Sequence, residues 1–223
     1  MRDTITIHTA DIQGAIFDVD GTLLDSMPAW HDAGARFLKT LGIEAEPNLG
    51  DILFAETTSS GADYMIRRYH LQMTKDEVAE GIIAQMDAFY RDEVQQKPGA
   101  VSLLKTLKEA GIPSVVVTST EGSCIEEAFN RLDLHQYFRC VFSAQDLHTT
   151  KKERQIWDMA SDVLQAPAEK TWVFEDGLYA IEAAGNLGYR TAGLYDRISE
   201  ADQKEIREKA DLYLRDLRDL KIR

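Results

Sequence analysis

The apolar positions of this chain change period twice. Ala15-Ile16-Phe17 is a short unbroken apolar run ending in Asp18, Val19, Asp20 and Gly21, which predicts a buried strand that opens into a loop. From Met27 to Leu41 the apolar positions Trp30, Ala33, Phe37, Leu38 and Leu41 follow a helical period that Gly42 ends. Helical spacing recurs over Ala62 to Leu71 and over Thr74 to Arg91, where Thr74 and Glu77 form a capping box. Nothing between Gly42 and Lys97 reads as a strand. After Lys97-Pro98-Gly99 the pattern alternates. Helices are predicted over Val101 to Ala110, Ser123 to Leu132, Glu153 to Leu164 and Leu178 to Leu187. Strands follow each of them, at Ser114 to Thr118, Cys140 to Phe142, Thr171 to Phe174 and Thr191 to Leu194. A last helix is predicted from Ser199, with Asp202 closing a capping box, and Asp211 to Leu214 adds a short edge strand.

This alternation predicts an α/β fold, a Rossmann-like parallel sheet core flanked by helices, with right-handed crossovers. The purely helical block reads as a small all-helical domain inserted after the first strand. The expected core is residues 1–26 and 98–223, and the insertion is 27–97.

In such sheets ligands bind beyond the carboxyl ends of the strands, so the residues standing there carry the chemistry. The first predicted strand delivers Asp18 and Asp20, spaced i, i+2 and able to face one group. Two carboxylates in different environments can divide nucleophile and acid/base roles. The plainer alternative is an Asx-turn closing a strand. The next strand delivers Thr118-Ser119-Thr120, hydroxyls and backbone N–H groups suited to a phosphoryl oxygen, or plain helix caps. Thr150-Lys151-Lys152 brings an ammonium or a solvated surface charge. Glu175 and Asp176 end another apolar strand, and beside Asp18 and Asp20 they demand a cation. Hard oxygen donors of this kind suit Mg²⁺.

Composition narrows the partners. The formal charge is −13 over 223 residues, so the averaged field repels nucleic acid and anionic membranes; neither is an expected partner. Cys124 and Cys140 have no paired-motif spacing, and the five histidines have no ligand spacing. Met1-Arg2-Asp3-Thr4 begins no apolar leader and no apolar run approaches a membrane span, and the cysteine pattern fits free thiols, so a cytoplasmic protein is expected; a monomer or weak dimer is the expected state.

With these residues assembled, the chain resembles the haloacid dehalogenase superfamily. The likeness is to its helical-cap branch of phosphatases and β-phosphoglucomutase-like enzymes, and it covers nearly the whole chain. Four motifs carry it: Asp18-Val19-Asp20-Gly21-Thr22, Thr118, Lys151, and Glu175-Asp176 with the trailing Ala183-Ala184-Gly185. The resemblance implies a phosphatase acting on a small phosphorylated metabolite, a sugar phosphate or similar. Asp18 would be the nucleophile that forms an aspartyl-phosphate, and Asp20 the acid and then the base. Thr118 and Lys151, with Ser119, would hold phosphoryl oxygens. Mg²⁺ would be bound by Asp18, the Asp20 backbone carbonyl and Asp176, with Glu175 in or next to that set. Asp25 and Ser26 would lead into the cap.

The third motif departs from the family's Lys-Pro in reading Lys151-Lys152, with Lys151 favoured as the inward one. Trp30 stands where sugar-phosphate mutases of this branch carry histidine, which favours hydrolysis over the alternative phosphomutase. A non-catalytic phospholigand-binding module is a third alternative. Substrate choice is expected in the cap, from Met27, Trp30, Tyr64, Arg67, Arg68 and His70, although Arg67 and Arg68 also read as a solvated face and Met27 and Trp30 as hinge packing.

Overall fold

The computed structural model describes residues 4–54 and 56–223. Met1, Arg2 and Asp3, on which the expectation about a leader rests, lie outside the described residues, as does Ala55. The chain forms two units, one of Met1–Asp25 with Gln95–Arg223, the other of Ser26–Val94.

Among its described residues the larger unit holds eight strands: β1 (Ile5–Ile7), β2 (Gly14–Phe17), β3 (Ser114–Thr118), β4 (Val141–Ser143), β5 (Thr171–Glu175), β6 (Arg190–Leu194), β7 (Leu212–Leu214) and β8 (Leu220–Ile222). Six form one sheet in the order β4-β3-β2-β5-β6-β7, every neighbouring pair parallel. The chain builds outward from β2 through β3 to β4, then returns to the other side of β2 for β5 to β7. That reversal places β2 at the switch in strand order, where the ends of neighbouring strands open into a crevice. β2, β3 and β5 are buried along their whole length, as their unbroken apolar runs require in a sheet covered on both faces. Phe17 stacks on Phe174 at 4.5 Å between ring centroids. Ile16, Val115 and Val173 belong to a core cluster with Ile156, Trp157 and Leu164 of a helix over Arg154–Leu164.

Among the described residues the elements of the smaller unit are all helices: α1 (Met27–His31), α2 (Ala33–Thr40), α3 (Leu49–Phe54), α4 (Thr58–Tyr69) and α5 (Lys75–Asp92). Its core includes Phe37, Leu38, Leu49, Met65 and Val78. The capping box at Thr74 is formed: the Thr74 N–H donates to Glu77 at 2.7 Å and the Glu77 N–H donates to the Thr74 hydroxyl at 3.2 Å. The remaining helices of the larger unit are α6 (Ala100–Glu109), α7 (Gly122–Leu132), α8 (Arg154–Leu164), α9 (Leu178–Asn186) and α10 (Gln203–Lys209).

Three local expectations are corrected. The helix predicted from Met27 to Leu41 is interrupted at Asp32, whose backbone at φ −91° and ψ 4° leaves the helical region although its N–H still donates to the Pro28 carbonyl at 3.0 Å. Ser199 is no N-cap of a capping box. Its backbone is not extended, its hydroxyl donates to Asp176 at 3.4 Å, and α10 begins only at Gln203 after a 3₁₀ turn. Finally β1 and β8, not predicted, pair with each other in parallel outside the main sheet.

Candidate active site

Asp18 is the first residue beyond β2, and its backbone N–H donates to the Phe174 carbonyl at 3.0 Å. That bond carries the sheet ladder one residue further and holds Asp18 at the rim, where it is buried. Lys151 lies in the turn before α8 and is 2% exposed, whereas Lys152 is exposed, with its ammonium 5.9 Å from the centre of the Tyr179 ring. The Lys151 ammonium donates to Asp18 Oδ1 and, at 2.8 Å, to Glu175 Oε1. Its backbone is anchored by the Trp157 indole N–H, which donates to the Lys151 carbonyl at 2.8 Å. The second Glu175 oxygen accepts the Gly177 N–H at 2.5 Å.

Asp18, Glu175 and Asp176 can each bring one carboxylate oxygen within 4.8 Å of the others. Burial pushes the Asp18 carboxyl up to about 7, the Lys151 ammonium opposing and the Glu175 and Asp20 carboxylates adding to it. Asp176 is raised well above the ordinary aspartate range, by burial first and then by Glu175, Asp18 and Asp196. Burial alone would lower Lys151, but Asp18 and Glu175 outweigh it and hold the ammonium above the ordinary lysine range. The Lys151 ammonium thus bonds two of three clustered buried carboxylates, and the third, Asp176, has no bond to it, which leaves a site with room for more positive charge.

The loop that follows Asp18 is shaped to meet Asp176. Gly21 has φ of +81°, and a Cβ there would collide with the Asp176 carboxylate, so only glycine brings the Asp20–Gly21 backbone this close. The donors brought together are carboxylate oxygens of Asp18, Glu175 and Asp176, all hard, and the excess of buried negative charge fits a divalent cation.

Of the other predicted residues, Thr118 ends β3 fully buried, and its hydroxyl oxygen accepts the Thr120 N–H at 3.1 Å. Ser119 is exposed, with its hydroxyl 3.2 Å from the Tyr179 phenol oxygen. Asp20 is half-buried and its Oδ2 accepts the Thr120 hydroxyl at 2.6 Å. Trp30 belongs to the helical unit, where its indole N–H donates to the Tyr90 phenol at 2.8 Å. In that unit Glu46 engages Tyr64 and Arg68, and Arg67 is exposed.

Three residues of the neighbourhood, Lys97, Asp196 and Tyr179, were not singled out by the sequence, and a fourth, Thr120, takes a contact the sequence did not indicate. The Lys97 ammonium donates to the Gly21 carbonyl at 2.6 Å and to Asp196 Oδ2 at 2.6 Å, tying the loop to the residues beyond β6. In sequence Lys97 reads as part of a Lys-Pro-Gly break, but Asp196 stands just past a strand and the strand-end rule reaches it. Thr120 reads as part of the phosphoryl seat, though its hydroxyl faces Asp20. Tyr179, in the first turn of α9, is indistinguishable from helix surface until the fold brings it to Ser119.

A family model of haloacid dehalogenase-like hydrolases matches residues 15–194. The chain belongs to that family of enzymes. It is 30% identical over 162 residues, 68% of this chain and 71% of the relative, to a phosphoglycolate phosphatase of Rhodobacter capsulatus. It is 23% identical over 177 residues, 79% of this chain and 82% of the relative, to a phosphorylated carbohydrates phosphatase of Thermotoga maritima. Its fold is similar, with a TM-score of 0.81 and 22% identity over 92% of this chain and 95% of the other, to a Thermotoga maritima crystal structure provisionally designated a β-phosphoglucomutase.

Proposed function

We propose that this protein is a Mg²⁺-dependent phosphatase that hydrolyses a small phosphomonoester, a sugar phosphate or similar metabolite, through an aspartyl-phosphate on Asp18. The observation that carries the reading is the Asp18 carboxylate held by a buried ammonium at the carboxyl end of the central strand, with Thr118 and Glu175 ending the flanking strands and Asp176 just beyond. Phosphoryl transfer asks for little else than positioning and charge neutralisation around an in-line nucleophile.

In the first half of the reaction an Asp18 oxygen bonds to phosphorus, the phosphorus–oxygen bond to the leaving group breaks, and Asp20 gives its proton to that leaving oxygen. In the second half Asp20 takes a proton from water as the water oxygen bonds to phosphorus, and Asp18 leaves unchanged. Lys151 and the Thr118-Ser119 turn neutralise and orient the phosphoryl oxygens. Asp18, Asp176 and the Asp20 carbonyl would hold Mg²⁺, with Glu175 beside them and already bonded to Lys151. Bound there, the ion would screen the negative charge of nucleophile and phosphoryl group from each other. Choice among phosphomonoesters is assigned to the helical insertion, residues 27–97, with Trp30 as its candidate substrate contact.

The relatives named for phosphatase activity on phosphoglycolate and on phosphorylated carbohydrates support the substrate class. The test is phosphate release from a panel of sugar and carboxylate phosphates with Mg²⁺. Turnover is expected with the native chain and is expected to vanish with Asp18→Asn, which keeps its shape but cannot form the phosphoenzyme. Absence of phosphate release across the panel, or equal rates from both proteins, refutes the proposal. Isomerised sugar without free phosphate would replace it by a phosphomutase.

A further inference from the structure

The turn after β3 makes two bonds that the phosphoryl-seat reading does not use. The Thr120 N–H donates to the Thr118 hydroxyl oxygen at 3.1 Å, which folds the turn back on the strand end. That turn aims the Thr120 side chain across the strand ends, where its hydroxyl donates to Asp20 Oδ2 at 2.6 Å. A threonine hydroxyl has one proton to give. Given to Asp20, it is withheld from a phosphoryl oxygen, so Thr120 is no phosphate ligand in this geometry.

We propose that Thr120 is a positioning residue for proton transfer, a hydroxyl that fixes the rotation of the Asp20 carboxyl and decides which oxygen moves the proton. The inference rests on the phosphatase reading, in which Asp20 is the acid. An oxygen that accepts the Thr120 proton cannot point its own proton along the same line. The carbonyl oxygen of a neutral carboxyl is a better acceptor than its hydroxyl oxygen, so the Thr120 bond favours Oδ2 as that carbonyl and leaves the transferable proton on Oδ1. In the first half-reaction the Oδ1–H bond breaks and the proton passes to the leaving oxygen. In the second half-reaction Oδ1 takes a proton from the attacking water. The Thr120 hydroxyl donates to Oδ2 in both protonation states, so one oxygen gives and receives while the other stays pinned. The carboxyl is half-buried and reached from a separate strand end, so without Thr120 it loses a bond that restrains its side-chain rotation.

Leaving-group dependence reads this role directly, because a good leaving group needs no proton and a poor one does. kcat/KM, which reports the first half-reaction, is measured with p-nitrophenyl phosphate and with a sugar phosphate for the native chain, Thr120→Val and Thr120→Ser. Thr120→Val keeps the branched shape and loses the donor. It is expected to lose about tenfold or more on the sugar phosphate and less than about threefold on p-nitrophenyl phosphate. Thr120→Ser, which keeps the hydroxyl, is expected to restore both to near the native values. Equal losses on the two substrates, or failure of serine to restore the sugar phosphate rate, would overturn the proposal. Thr120→Ala serves the same comparison should valine impair folding.

The second measurement is a cycle: in an Asp20→Asn background Thr120→Val is expected to add no further loss, and an additive loss also overturns it. A native chain that turns over neither substrate refutes the phosphatase reading and this inference together. An active native chain with a flat leaving-group response refutes this inference alone.

Discussion

Replacing Lys151 with methionine removes one charge and little volume, and it tests whether the ammonium holds the Asp18 and Glu175 carboxylates in place. Lys151 is 2% exposed and contacts both Asp18 and Glu175. At an effective dielectric of about 20, unit charges at the 2.8 Å of the Glu175 contact attract by about 6 kcal/mol. Burying the ammonium offsets a large share of that, and removing one partner of a buried ion pair costs about 3–5 kcal/mol net. The cost depends on pH with a definite sign. Without the lysine the carboxylates are still more reluctant to ionise in the folded protein than Asp18, already at about 7, and Asp176 are now. The folded state then binds more protons than the unfolded chain above the ordinary carboxylate range near 4, so stability falls as pH rises. Urea denaturation in metal-free buffer, followed by tryptophan fluorescence in a Trp30→Phe background, reports the larger unit through Trp157 and Trp172. The deficit of Lys151→Met is expected to be about 3–5 kcal/mol at pH 8 and less than half of that at pH 5. An equal deficit at both pH values would show that lost packing, not uncompensated charge, is what the substitution removes.

Two further outcomes follow from neighbouring groups. Lys97→Met leaves Asp196 buried without its ammonium and frees the Gly21 carbonyl, so it is expected to cost about 3 kcal/mol, part of which Asp196→Asn in the same chain recovers; denaturation of the two single variants and the double variant checks it, and strictly additive losses refute it. Raised folded values for Asp18, at about 7, and Asp176 mean that the metal-free native chain loses stability as pH rises from about 4 through 7, and Mg²⁺ is expected to reverse this where the carboxylates are ionised. At a hundredfold excess over Kd the gain is about 2.7 kcal/mol, or roughly 5–10 °C in Tm for a chain of this size; thermal melts with and without Mg²⁺ should show the larger shift at pH 8 and a smaller one at pH 5.5, and equal shifts refute the assignment of the site.

Strand ends were legible in the sequence because a parallel sheet announces them. Unbroken apolar runs stop at Phe17, Val117 and Phe174, and the polar residues just beyond converge because the strands are parallel and in register. The choice of Lys151 over Lys152 was legible through its distance from Ile156 and Trp157, and the structure buries the first and exposes the second. What escaped depended on side chains reaching across the fold. No local signal links Lys97 to Asp196, Thr120 to Asp20, or Ser199 to Asp176, since each bond closes only after separate strand ends have met. The β1 and β8 pairing escaped for a different reason. Each strand is three residues long, and neither has its partner nearby in sequence.

The way the helical insertion leaves and rejoins the sheet bears on how the chain folds. Leu24 bridges Gln96 in antiparallel fashion, the Asp25 N–H donates to Gln95 at 2.9 Å, and the Lys97 N–H donates to Leu23 at 2.7 Å. A structureless loop of roughly seventy residues between β2 and β3 would cost about 4 kcal/mol of closure entropy. Zipped at its neck, the insertion presents its two ends to the sheet as though a hairpin joined them. The stretch of chain that β2 must span to find β3 is then the neck and the α6 crossover, so forming the neck early would shorten the search for the central strand pair. It also makes the neck the natural place to exchange one insertion for another without rewriting the sheet.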